Sequence, residues 1–206
     1  MAHLRIHRTI GVILSTLAVL LAITYIASPA TVTFYSSTAI ALMKMASGSN
    51  PLDGLALSLT QTSTSPPTVR VTVTNRNSHP VTIIAYNSPL DAIALPLGLL
   101  TITPEGASEP VELQIIKASR IWPPMPDSLI GLESGASATN DLVLKEPTVP
   151  MGKLGKKATV FLEGSWMGVI ARSKDKVSSE DLEHLSSQPD AFKGDFKSES
   201  IKITID

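Results

Sequence analysis

Two histidines lie beyond residue 45: His79, in a turn beside Pro80, and His184, in the run DLEHL. A catalytic zinc needs three protein ligands, and its commonest helical signature is HExxH. Neither histidine belongs to such a pair, and the chain has no cysteine. Zinc–cysteine sites, cysteine-ligated iron–sulfur clusters, thiol nucleophiles and disulfide scaffolds are therefore excluded together. Serine chemistry fares no better. Gly131-Leu132-Glu133-Ser134-Gly135 and Gly164-Ser165-Trp166-Met167-Gly168 come nearest to G-x-S-x-G, with the wrong spacing and no following helix. Both read as turns between strands. The lysines of Gly152-Lys153-Leu154-Gly155-Lys156-Lys157 lack the spacing of a phosphate-binding loop and read as a solvated hairpin turn. The acids Glu180, Asp181 and Glu183 fall where a helix begins, and there they favour the helix dipole.

These readings assign no catalytic, cofactor-binding or metal-ligating residue. One enzymatic alternative stays open, in which Asp91, His79 and Glu163 converge from separate loops around a pocket. The segment Trp122-Pro123-Pro124-Met125-Pro126 has two readings as well. It is an exposed polyproline stretch for a partner, or Trp122 packs into the body and the prolines stiffen a loop. The second is expected.

The elements that carry these residues read as strands. Leu55, Leu57 and Leu59 alternate with smaller or polar residues, then Val69, Val71 and Val73 alternate with Arg70, Thr72 and Thr74. A period of two is the mark of a half-buried strand, and β-branched residues suit a pleated sheet. Asn75-Arg76-Asn77-Ser78 is turn chemistry, and Val81, Ile83 and Ala85 follow it, so three strands are expected to form a meander. Further strands are predicted at Leu99–Ile102, at Val111–Ile116 with Ile115 inward, at Leu142–Leu144, and at 158–162, ending at Glu163-Gly164-Ser165. Ile201, Ile203 and Ile205 close the series. Residues 121–128 hold too many prolines for a central strand. One short helix is predicted over 179–186, with Ser178 as N-cap and Asp181 as its capping-box partner.

Eight or so turn-separated strands and one helix indicate an all-β protein: an immunoglobulin-like antiparallel β-sandwich preceded by an N-terminal apolar helix. The organisation is 1–45 as an apolar segment and 46–206 as the sandwich domain. Residues 1–45 carry Arg5, Arg8 and Lys44 and no acid. The whole chain has a formal charge of −1, so the body carries an acidic surplus and has no reason to bind nucleic acid.

Ile10 to Ala27 is 18 residues of apolar sequence. As a helix it covers ~27 Å, close to a bilayer core of ~30 Å. The expectation is a single-pass signal anchor with the body on the non-cytoplasmic side. Two alternatives stand beside it. One is a cleaved signal peptide, with Ser28 and Ala30 as the small residues before Thr31. The other is translation from Met43 or Met45, which leaves a cytosolic body. The absence of an N-x-[ST] sequon in the body leans towards the last.

The stretches LALSLTQ, VRVTVTNRNSHPVTIIAYNSPLD, LESGASATNDLVL and ESIKITID, in that order, resemble the propeptide domain of the fungal deuterolysins, which are secreted zinc proteases. The body is also similar to short uncharacterised fungal proteins of the same pattern. The catalytic HExxH that follows in the deuterolysins has no counterpart in this sequence, so no catalytic residue carries over. The resemblance implies a non-catalytic domain that binds a protein partner, as an inhibitor or chaperone of a separate protease. A gene truncated before a downstream protease domain is the other implication.

Overall fold

The computed structural model describes residues 50–206. The apolar helix expected over 10–27, and the 1–45 segment that contains it, lie outside the described residues. Within 50–206 there are nine strands in two antiparallel sheets and one short α-helix.

The smaller sheet follows directly from the alternation. Strand β1 (Leu55–Thr64) pairs with β2 (Pro67–Asn75), with Leu57 opposite Val73 and Leu59 opposite Val71. Val69, Val71 and Val73 are fully buried, while Arg70 points to solvent between them. Strand β6 (Ser137–Val143) covers the other edge of β2.

The larger sheet is organised around one strand. β3 (Val81–Ile84), β4 (Leu100–Pro104), β5 (Leu129–Leu132), β8 (Ala191–Lys197) and β9 (Ile201–Thr204) assemble with β7 (Lys157–Ile170). β4 and β3 lie along one side of β7, β8 and β9 along the other, and β5 extends the sheet beyond β3. β8 and β9 form one interrupted track. At the gap, the buried Ser198 gives its backbone N–H to Leu162 O and accepts from Leu162 N at 2.9 Å through its hydroxyl.

The core lies between the two sheets. Gly164 stands opposite Phe196 in register, and a Cβ there would come within 2.8 Å of the Phe196 ring. The space is taken instead by Phe196 against Trp166, with ring centroids 5.0 Å apart. Each fully buried Val, Leu or Ile of this core contributes roughly 1.5–3 kcal/mol by leaving water.

One end of the sandwich is closed by amides. Asn75 is fully buried. Its Nδ2 donates to the carbonyls of His79, Leu132 and Glu133 at 2.9, 3.0 and 3.2 Å. Its Oδ1 accepts from Asn77 N and Asn77 Nδ2, and Asn77 Nδ2 also donates to Pro51 O. Gly54 packs on this knot so closely that a Cβ would fall 2.2 Å from Asn77 Oδ1. The sequence marked Asn75–Ser78 as a turn, and the structure makes it a buried polar clasp.

Several sequence expectations are corrected. β1, β2 and β3 do not form a meander, because the chain crosses to the other sheet after β2. Val111–Ile116 is not a ladder strand. Val111 and Leu113 pack against the core, but Ile115 is turned outward. Glu163-Gly164-Ser165 does not end a strand, and β7 runs straight through it, since the exposed–buried alternation continues to Trp166. β5 and β8 were not expected: β5 has only four residues, and β8 mixes Lys, Gly and Asp among its aromatics. Helix α1 (Ser179–Glu183) has the predicted capping box of Ser178 and Asp181, and it ends three residues short of the expected 186.

Candidate functional site

The chain between β4 and β5 leaves the sheet and forms a strap over the surface. Its inner side is fastened at several points. Val111 N donates to Ile102 O, Gln114 N to Thr148 O and Ile116 N to Pro96 O, each at 2.9 Å. Pro124 is buried, and Ala85 N donates to Ser128 O at 2.8 Å.

The strongest fastening is an ion pair. Asp91, 4% exposed, receives Asn87 N on Oδ2 at 2.8 Å and Ile93 N on Oδ1 at 3.1 Å. Arg120 then bonds Asp91 Oδ2 through Nη2. The guanidinium also lies over the Tyr86 ring, 4.9 Å from its centroid. A cation–π contact of this kind adds about 0.5–1 kcal/mol at an exposed site. Asp91 thus ties the β3–β4 loop and the strap together.

The outer side of the strap is apolar. Ile115 is 65% exposed, Ile116 50%, Ile121 66%, Trp122 45% and Met125 50%. No other large hydrophobic residue is exposed among the described residues. Ile115 rests on Gly98, which has φ +79°, and a Cβ there would meet Ile115 Cγ2 at 2.9 Å. Only glycine takes that backbone conformation without strain and also leaves room for the strap. These five exposed apolar side chains make the strap the candidate contact surface among the described residues.

The residues considered for chemistry do not converge. His79 Nδ1 faces Pro80 O at 3.0 Å. Asp91 is taken up by Asn87, Ile93 and Arg120. Glu163 pairs with Lys197 at 2.8 Å on the outer face of β7 and β8. Three separate sets of partners hold three separate residues. An open depression does lie beside Glu163, but Ser165 there bonds Asp195 at 2.5 Å without any histidine. His184 follows α1 on the surface. No group of three His, Asp or Glu side chains suited to a metal occurs among the described residues. Trp122, expected inside, is outside, because the prolines around it hold the segment extended over the surface. The Arg120–Asp91 clamp was not anticipated. The two residues are 29 apart, and no pattern links them.

A family model described as an immunoglobulin-like domain matches residues 54–205. The chain belongs to the immunoglobulin-like domain family. An "Uncharacterized secreted protein" of Arthroderma benhamiae is 31% identical over 137 residues, which is 66% of this chain and 68% of that protein. This relative corrects the expected location. A single-pass membrane protein with residues 10–27 as anchor is set aside, because the relative is named as secreted. Among the described residues no helix is long and apolar enough to cross a membrane, and residues 10–27 lie outside them. The strap belongs to the immunoglobulin-like domain proper, since 115–125 falls inside the matched span.

Proposed function

We propose that this immunoglobulin-like domain is a secreted, non-catalytic binding module that meets a protein partner through the strap at 115–125. One observation carries the reading: every exposed large hydrophobic residue of the described chain lies on that strap, which is fastened from behind. Loops held rigid before binding lose little entropy on contact. A cluster of Ile, Trp and Met gives the apolar centre that interfaces use, with polar neighbours as rim. The secreted relative supports an extracellular setting. The pattern resemblance to deuterolysin propeptides makes inhibition or chaperoning of a protease one version of this role. Secretion fits cleavage after Ala30, which N-terminal sequencing of the mature chain checks.

The test places a photo-reactive side chain at position 122 of the full chain and, as control, at the exposed position 139 on the opposite sheet. The expected result is a discrete adduct from position 122 that Ile121→Ser reduces. Equal labelling from both positions overturns the reading.

A further inference from the structure

Strand β1 is an edge of the smaller sheet and pairs with β2 alone. Gln61 bridges the far half of its open side to β9, through Thr204 O at 2.6 Å and Thr204 N at 2.9 Å. Leu55–Thr60 has no ladder partner on that side. No residue between Asp53 and Arg70 is charged. Edge strands are normally blunted by charge or by a cover, because an uncharged, β-rich edge accepts a strand of another chain. The other edges follow that rule. Asp141 and its partner Arg70 mark β6, and Lys174 donates to Leu129 O of β5 at 2.7 Å. The strap covers β4 where Val111 N donates to Ile102 O, and β9 carries the exposed Lys202.

What β1 presents instead is hydroxyls. Ser58, Thr60 and Thr62 stand exposed in a period of two, and the turn continues as Ser63-Thr64-Ser65-Pro66-Pro67. Some of these groups are used within the hairpin. Thr62 donates to Thr68 O at 3.5 Å, Thr68 to Pro66 O at 3.0 Å, and Ser63 Oγ accepts from Ser65 N at 3.2 Å. The hydroxyls of Ser58, Thr60 and Ser65 have no hydrogen-bond partner among the described residues, and all three residues are exposed.

We propose that β1 and its turn are O-glycosylated, with Ser58, Thr60 and Ser65 accepting hexose from a phosphate-activated sugar, and that these sugars supply the missing edge protection. The inference rests on the secreted reading, because the transfer belongs to the secretory route. Ser/Thr-rich segments with proline are the sequences that carry O-linked sugars. The body has no N-x-[ST] sequon, so hydroxyls are the acceptors it offers. In the transfer, the hydroxyl oxygen attacks the anomeric carbon. A new C–O bond forms, the bond from that carbon to the phosphate oxygen breaks with its electron pair leaving on the phosphate, and the hydroxyl proton passes to a base of the transferase. A bulky, solubilising sugar on Ser58 or Thr60 then obstructs a second strand from settling at the ~4.8 Å spacing of a ladder.

The test expresses the full chain, with its own N-terminus, in a secreting fungal host. Intact mass should exceed that of the bare chain by whole multiples of one hexose residue, and electron-transfer fragmentation should place them within 58–65. The triple variant Ser58→Ala, Thr60→Ala, Ser65→Ala should lose those increments and aggregate faster by light scattering. Using Thr60→Lys in place of Thr60→Ala should return it to the soluble state, since a charge then guards the edge. All three positions are exposed, and near-ultraviolet circular dichroism checks that the fold is kept. A chain in the medium that is bare over 58–65 overturns the proposal and leaves the secreted binding module standing. A chain that stays in the cell and is bare removes both. Increments that survive in the triple variant overturn the assigned acceptors, and a bare variant that stays soluble overturns the edge protection.

Discussion

Strands β3 and β5 run side by side, and their two ends are finished in opposite ways. At the Val81–Leu132 end the Asn75–Asn77 knot buries polar groups and satisfies them one by one. At the Ile84–Leu129 end the strap enters, with its backbone fastened and its apolar side chains left in water. Folding alone explains the first arrangement, since a buried amide with every bond made locks the turn geometry. It does not explain the second. Apolar surface kept in water is stability forgone, and that is the ground for the contact surface proposed above.

The contrast can be tested from both ends. The largest effect is expected from Asn75→Ala, which strands the buried carbonyl of Leu132 and the buried amide of Asn77, together with the part-buried carbonyls of His79 and Glu133. It should cost about 3 kcal/mol or more, read as a lower denaturant midpoint. A loss below about 1 kcal/mol would mean that the knot is ornamental.

Next comes Asp91→Asn, which removes the charge that holds Arg120 and leaves one accepting oxygen where Asn87 N and Ile93 N now have two. About 2 kcal/mol is expected, below the cost of a fully buried pair because Arg120 is partly exposed. The same variant should be nicked by protease within 115–125 faster than elsewhere. Unchanged cleavage there would show that the strap is not held by this clamp.

A smaller effect is expected from acid. The Asp181 carboxyl is held below its usual range, first by hydrogen bonds from the Ser178 backbone and hydroxyl, then by Arg172. That capping stabilisation is present above the ordinary carboxylate range and disappears as pH falls through the lowered value. Protection of the backbone amides around 178–188, measured against their intrinsic exchange rates at each pH, should therefore fall in acid while the Asn75 side-chain amide protons stay protected. Simultaneous loss of both would mean that the helix and the knot open as one unit.

The smallest effect is also the most diagnostic. Ile121→Ser should move stability by no more than about 0.5 kcal/mol, since the side chain is in water already. A large loss in the thermal midpoint would return the strap to the core and erase the contrast between the two ends.

The sheets were largely legible because alternation is local. Val69, Val71 and Val73 announce both a strand and its buried face within five residues. The capping box of Ser178 and Asp181 was legible for the same reason, as a contact across three positions. Strand β8 was hidden because its residues are chosen by what β7 presents, with Gly194 opposite Trp166 and Phe196 opposite Gly164. The strap was half visible. Its prolines excluded a central strand, but hydrophobicity at Ile115 and Trp122 suggested burial. A hydrophobic residue carries no mark of whether its partner lies within the chain or outside it. The clamp of Asp91 by Arg120 left no local trace, because it is a tertiary contact between two loops.

Strand β7 sets a timetable for synthesis. It is the neighbour of β3, β4, β8 and β9, yet it is made after the first six strands. The three strands of the smaller sheet, and the β3–β5 pair, can form as the chain emerges. The larger sheet must wait for residue 170 to leave the ribosome, and until then β3 and β4 keep open edges that another chain can occupy. The nascent protein therefore has a period of exposure fixed by the late position of β7 and of the β8–β9 track that covers its other side, and chaperone demand should fall once both have paired.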